Sequence, residues 1–199
     1  MKKKTFVDNE IMKSITDSFL DDAIATYYEM KEKINTEDCF DEYFNSFNDL
    51  LKIIEYRKMI MPVAIEFLDG KTNYLYQKGR LPDDYDVRQD KKTRATPVLA
   101  AIRPKGSKDN YQKYLVLLSS IEKTKYAEGY NYLMATNFKE VYDKYLKNND
   151  ELCGIIVNMN SDNFILDIGL CEYIYGGCDE KAWKKIKSQT KEVLNMLEK

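Results

Sequence analysis

The chain has 199 residues, 44% of them hydrophobic and 32% charged, with 31 Lys plus Arg against 33 Asp plus Glu for a formal net charge of -2. That length and balance fit one globular unit with a real core and exclude global disorder, and the lack of a basic excess disfavours a general nucleic-acid binder, which needs cations to neutralise phosphates. Histidine is absent, which removes Ser-His-Asp and Cys-His catalysis, His-ligated zinc and the commonest general base.

The opening MKKKTFVDNE carries positive charge with no apolar stretch behind it, so a secretory signal is not expected. From residue 8 to about 33, Ile11, Ile15, Phe19, Ala23 and Tyr27 recur every four residues and predict an amphipathic helix with Asp8 as its cap. After Asn35 and Thr36, Phe40, Tyr43, Phe44, Phe47, Leu50, Leu51 and Ile54 restore the spacing to about Met59, completing a helical hairpin. Its aromatic stripe, Phe40, Phe44 and Phe47, either packs on the rest of the chain or mediates a homodimer. The apolar stretch from 59 to 65 is broken by Pro62, and no segment has the length of a membrane span.

Beyond Pro62 the period changes to two, with Val63, Ile65 and Phe67 on one face, then Asp69-Gly70, then residues 72–76, which predicts a hairpin through a tight turn. Residues 77–96 are strongly polar and form the longest predicted loop. Residues 97–102 and 114–118 flank the turn-rich RPKGSKDN and predict a second hairpin. Ser119 with Glu122, and Asn137 with Glu140, have the spacing of capping boxes for two short helices, and residues 130–135 lie between them as a strand. Apolar runs at 155–157 and 164–168 flank a polar knot of Asn158, Asn160, Ser161, Asp162 and Asn163. A short helix then ends at Gly176-Gly177, and Asp179 caps a last helix with Trp183, Ile186 and Leu194 on one side and Lys181, Lys184, Lys185, Lys187 and Lys191 on the other. That helix either docks with its lysines in water or meets a membrane surface or partner. The whole reads as an α+β fold: a mostly antiparallel sheet of about six strands with helices packed on it over residues 61–199, preceded by the N-terminal helical hairpin of residues 1–60.

Each chemistry the short motifs suggest lacks a partner. Asn158, Asn160 and Asp162 take the first ligand positions of a calcium loop, but its twelfth position falls on Gly169, so the three are read as structural residues of a turn. Ser120 with Lys123, and Ser161-Asp162-Asn163, echo serine β-lactamase motifs, yet the third element stands as Lys71-Thr72-Asn73, without its glycine and ahead of the other two. Gly70-Lys71-Thr72 resembles the end of a phosphate-binding loop whose earlier glycine is here Ile65. No catalytic residue, metal site or cofactor is expected. Asp83, Asp84, Arg88 and Arg94 in the charged loop are either a solvated surface or a small-molecule or phospho-ligand site. Tyrosine is abundant, at 16 residues, and the pairs Tyr74/Tyr76 and Tyr130/Tyr132 place rings on one side of a strand, where core packing and a protein interface are both open.

YLVLLSS at 114–120, followed by NYLMATNFKEVYDKYLKNNDELCGIIVNMNSDNFILD at 131–167, resembles the SseB-like family, the enhanced serine sensitivity proteins. The signature strand stands here as Gly154, Ile155, Ile156, Val157 and Asn158, with Met159 in place of the usual proline. The resemblance covers roughly residues 61–175 and implies a small α/β module without an established enzymatic activity, thought to act beside a sulfurtransferase or in regulation. No catalytic residue transfers with it. With no secretory signal expected, a cytoplasmic location is expected, and there the four cysteines, which contain no Cys-x-x-Cys pair and are too few to staple a fold of this length, are expected to be reduced thiols. The expectation that results is a non-enzymatic, cytoplasmic module that binds a protein partner, without nucleic acid or membrane; its alternative is a small-molecule or phospho-ligand enzyme using the loop 77–96.

Overall fold

A computed structural model describes residues 15, 19–33, 39–67, 93–104, 110–127, 130 and 132–197. The helical hairpin forms as α1 (Phe19–Lys33) and α2 (Phe40–Tyr56). Leu20, Ile24 and Tyr27 are buried on α1, and Phe40, Phe44, Leu50, Leu51 and Ile54 on α2, the helical spacing turned into one inward stripe per helix. The second helix stops short of its expected end at Met59. Its backbone turns extended at Arg57, and β1 (Lys58–Phe67) begins four residues before Pro62, because Met59, Ile60 and Met61 are buried in a strand.

β2 (Thr93–Pro97) and β3 (Leu99–Ile102) are nearly one strand, bent at Val98. β2 pairs antiparallel with β1, from Val63 opposite Pro97 to Phe67 opposite Thr93, and β3 pairs antiparallel with β4 (Gln112–Leu117). A short 3-10 helix (Ile121–Tyr126) leads to β5 (Tyr132–Asn137), which lies antiparallel to the first half of β1. Then α3 (Phe138–Val141), continued by a π-helical turn (Tyr142–Leu146), crosses over to β6 (Leu152–Val157). β7 (Phe164–Asp167), α4 (Ile168–Tyr175) and α5 (Glu180–Leu197) complete the order.

The α+β class stands, but the single antiparallel sheet does not. The strands form two sheets, β2-β1-β5 and β3-β4-β6-β7, and β4 and β6 run parallel. Parallel neighbours need a long crossover, which the 3-10 helix, β5 and α3 supply. The sheets meet through Ile60 and Leu118, whose amides donate to each other's carbonyls at 2.9 and 2.8 Å. The hairpin expected around Asp69-Gly70 lies outside the described residues.

Side chains alternate between two cores as the strand period requires. Met59, Met61, Leu115, Leu117, Ile155 and Val157 face the helices, while Ile60, Val116, Leu118 and Ile156 face a smaller cluster with Ile15, Ala127 and Leu133. The larger cluster also holds the α1 and α2 stripes, so the N-terminal hairpin shares its core with both sheets. Phe44 and Phe47 lie 5.6 Å, ring centre to ring centre, from Trp183 of α5, and Phe47 is 6.1 Å from Phe164. The aromatic stripe is therefore packed within the chain, and α5 docks on α2 and α4 rather than on a sheet.

At Gly154 backbone freedom decides the packing. Its φ of 144° is a conformation that side chains rarely adopt, and a Cβ there would stand 1.9 Å from the Leu166 carbonyl oxygen of β7. The strand register with β4 also shifts at this point, with Cys153 as the extra residue.

Candidate functional site

The polar knot closes the β6–β7 hairpin, with Val157 opposite Phe164 and a Ser161 amide donating to the Asn158 carbonyl at 3.1 Å. Asn158 and Asn160 sit at φ 60° and 65°, the left-handed region that asparagine tolerates better than most residues. The turn does more than reverse the chain. It lies beside the carboxyl end of β4, and Asn158 is fully buried there.

Asn158 Oδ1 accepts from the Ser119 amide at 2.9 Å and lies 2.8 Å from Ser119 Oγ, while Nδ2 donates to Asp21 Oδ1 of α1 at 3.1 Å. The single Ser119 hydroxyl proton is shared between Asn158 Oδ1 and the same Asp21 oxygen. Ser120 Oγ donates to the other Asp21 oxygen at 3.3 Å. This pairing replaces the capping box expected from Ser119 and Glu122: neither serine caps the 3-10 helix, because both hydroxyls face Asp21. By contrast, Asn137 does cap α3, accepting from the Glu140 amide at 2.9 Å.

Lys123 extends the cluster. Its Nζ donates to Asp162 Oδ1 at 2.6 Å and lies 3.5 Å from Ser161 Oγ, so the Ser120/Lys123 pair and the Ser161-Asp162-Asn163 triplet do come together in space. Their electrostatics do not make a nucleophile. Burial works to lower the Lys123 pKa, but the bond to Asp162 and the fields of Asp21 and Asp162 outweigh it, so the amine is held protonated and is no general base at neutral pH. Asp162 is likewise held below the usual carboxylate range: burial would raise it, and its bonds from Lys123 and Ser161 prevail. Ser119 and Ser120 are 3% and 5% exposed, out of a substrate's reach. Tyr28 donates to the Asn163 carbonyl and Asn160 Nδ2 to the Tyr126 carbonyl at 3.1 Å. The hub thus ties α1, the 3-10 helix and the β6–β7 turn together, with its donors and acceptors matched internally.

A different arrangement lies on the outer side of the helical hairpin. Phe19, Asp22, Ala23, Thr26 and Met30 form one stripe on α1, and Glu42, Asn45, Ser46, Asp49, Leu50 and Ile53 form the matching stripe on α2. Both follow the three-and-four spacing of a single helix face. They line a groove of about 630 Å³, with buried Leu50 in its floor and exposed Asp22, Glu42 and Asp49 along its rim. Small Ala23 and Ser46 keep it open. None of the described lining residues is a lysine or arginine, and the Arg57 guanidinium lies 5.0 Å from the ring centre of lining Phe19.

The other candidates read from the sequence are distributed differently. Asp83, Asp84, Arg88, Tyr74 and Tyr76 lie outside the described residues, so of the charged-loop set only Arg94 is seen, exposed on β2 opposite Glu66. Tyr130 and Tyr132 are half-buried, Tyr130 packed against the smaller core and donating to the Thr124 carbonyl at 3.1 Å, Tyr132 against the larger core. Among the described residues no group of His, Cys, Asp and Glu could hold a metal ion, and no helix is long and apolar enough to cross a membrane. Sequence reasoning missed Asp21, which reads as one of many exposed helix acids. It also missed the groove, whose signal was available: Asp22, Glu42 and Asp49 fall on helix faces that carry apolar Ala23, Leu50 and Ile53 as neighbours. Comparison with protein-family models, with curated proteins and with solved structures finds no match.

Proposed function

We propose that this protein is a non-enzymatic binding module and that the α1–α2 groove is where a protein partner's side chains enter. One observation carries the reading: an open groove of about 630 Å³ with an apolar floor stands on the same helical hairpin whose inner face is closed by the core. Its volume is in the range of roughly 300–1,000 Å³ typical of ligand sites. The polar hub, the rival as a reaction centre, has a protonated lysine and inaccessible serines. The resemblance to the SseB-like family points the same way, toward a module without an established activity. A cytoplasmic setting fits Cys171 and Cys178, which are buried thiols and not halves of disulfides.

The test is a photo-crosslinking amino acid placed at Ser46 in the groove, with exposed Glu151, outside the groove lining and just before β6, as control, irradiated in cell lysate. An adduct specific to Ser46 that disappears when Ala23→Trp fills the groove is the expected result. Adducts equal at both positions, or unaffected by Ala23→Trp in a variant that melts like wild type, would refute it.

A further inference from the structure

Resting on that reading of the groove, the geometry points to its occupant: we propose that it is a lysine- or arginine-rich amphipathic helix of another protein, its apolar face on Phe19, Ala23 and Ile53 and its cations on the carboxylates of the rim.

Charge decides the sign. Asp22 stands on the α1 side and Glu42 and Asp49 on the α2 side, all exposed, with no cation among the described lining residues. A bound segment meets the Glu42 and Asp49 carboxylates along the α2 flank of an apolar trough, and an acidic or neutral one would leave them facing its own charge or its desolvated backbone. Glu42 and Asp49 make no ion pair among the described residues.

Spacing decides the secondary structure. Glu42 and Asp49 are seven residues apart on α2, two helical turns, or about 10 Å along the axis at 1.5 Å per residue. A second helix lying along the groove repeats at that same distance, so cations at its own i and i+7 positions meet both carboxylates while i+3 and i+4 reach the floor.

The chain already contains this interaction once. On its other side α2 receives α5, a helix with Lys181, Lys184 and Lys185 exposed. Its Trp183 ring lies against Phe44 and Phe47, and Lys187 Nζ is 2.7 Å from Asp41 Oδ1. Apolar anchor and lysine-to-carboxylate contact are thus the chemistry by which α2 takes a basic amphipathic helix, and the groove offers the same pair of features on the opposite flank.

The probe is a fluorescent synthetic helix of about five turns, roughly 18 residues at 3.6 per turn. It is built from alanine and a leucine stripe, with lysines at i and i+7 beside the stripe, and is compared with a glutamate-for-lysine analogue and a scrambled peptide of the same composition. The full-length protein is expected to bind the lysine helix saturably at one to one, at least about tenfold tighter than either control, and less tightly as salt rises. The pair Glu42→Lys and Asp49→Lys should weaken that binding by about tenfold or more while leaving the melting temperature unchanged. Equal affinity for the scrambled peptide, or binding indifferent to the charge reversal, would overturn the proposal. So would a wild-type dimer that the reversal dissociates, because the occupant would then be a second copy. If the Ser46 adduct forms in lysate while the lysine helix fails, the groove remains a protein-binding site and only the chemistry assigned to its partner is wrong; if neither occurs, both fall.

Discussion

The polar hub and the α1–α2 groove stand on opposite faces of the same helix, one residue apart. Asp21 of α1 turns inward and meets two hydroxyls and an amide, whereas Asp22 lies on the exposed rim of an open trough. Both places concentrate polar groups, and only the second leaves room for something else. A group of conspicuous residue types such as Ser, Lys, Asp and Asn marks a reaction centre only if its electrostatics and access permit chemistry, and the hub has neither. The difference is between polar groups that hold a fold and polar groups that border an open groove.

Substitutions separate the two regions, and the largest effect belongs to the strand that carries the hub. Gly154→Ala would put a Cβ into the Leu166 carbonyl and demand an unfavourable φ, so a loss of several kcal/mol, about 3 or more, is expected in chemical denaturation. Asn158→Ala comes next: it strips partners from a buried amide, a serine hydroxyl and a carboxylate, at about 3 kcal/mol, whereas Asp49→Ala on the groove rim should stay within about 0.5 kcal/mol. Equal losses at Asn158 and Asp49 would erase the distinction.

The pH dependence is smaller and also belongs to the hub. Asp162 is lowered in the folded state, so its contribution is present above the unfolded value of 3.8 and is lost as pH falls through the lower folded one. Lys123 is raised, so its contribution is present below 10.5 and is lost as pH rises through the higher folded value. Lys123→Met should therefore cost only about 0.5–1 kcal/mol between those limits, and should remove part of the stability change below about pH 4 when melting is followed against pH. Thiol labelling gives the mildest contrast. Burial, then the Asp167 field, pushes Cys171 up to about 12, and burial, then Glu55, does the same for Cys178, so at neutral pH both should resist alkylation until the protein unfolds. Half-buried Cys39 and Cys153 should react before them.

Much of the helical part was legible because it rests on local signals. The four-residue apolar spacing located the parts of α1 and α2 that the structure describes, and Asp179 caps α5 through the Lys181 and Ala182 amides at 3.0 and 2.9 Å, as its position suggests. The β3–β4 and β6–β7 hairpins followed from their turn residues. The parallel β4–β6 pair did not, since hairpin reasoning joins strands in chain order. Its signal was the unbroken apolar run in each strand, YLVLL and GIIV, which suits strands covered on both faces. Asn158 was legible as a turn residue and not as a buried one, because its partners Ser119 and Asp21 are separated from it by 39 and 137 positions. The capping box at Ser119 failed for the same reason: a long-range acceptor outcompeted the local one.

The most direct test crosses the two regions, measuring melting temperature and affinity for the lysine-bearing synthetic helix on the same two variants. Ser119→Ala is expected to lower the melting temperature and leave the affinity of the folded protein unchanged, and the Glu42→Lys, Asp49→Lys pair to do the reverse. A stable Ser119→Ala variant that no longer binds the helix, beside a charge-reversed groove that still does, would contradict this division and move the binding site to the hub.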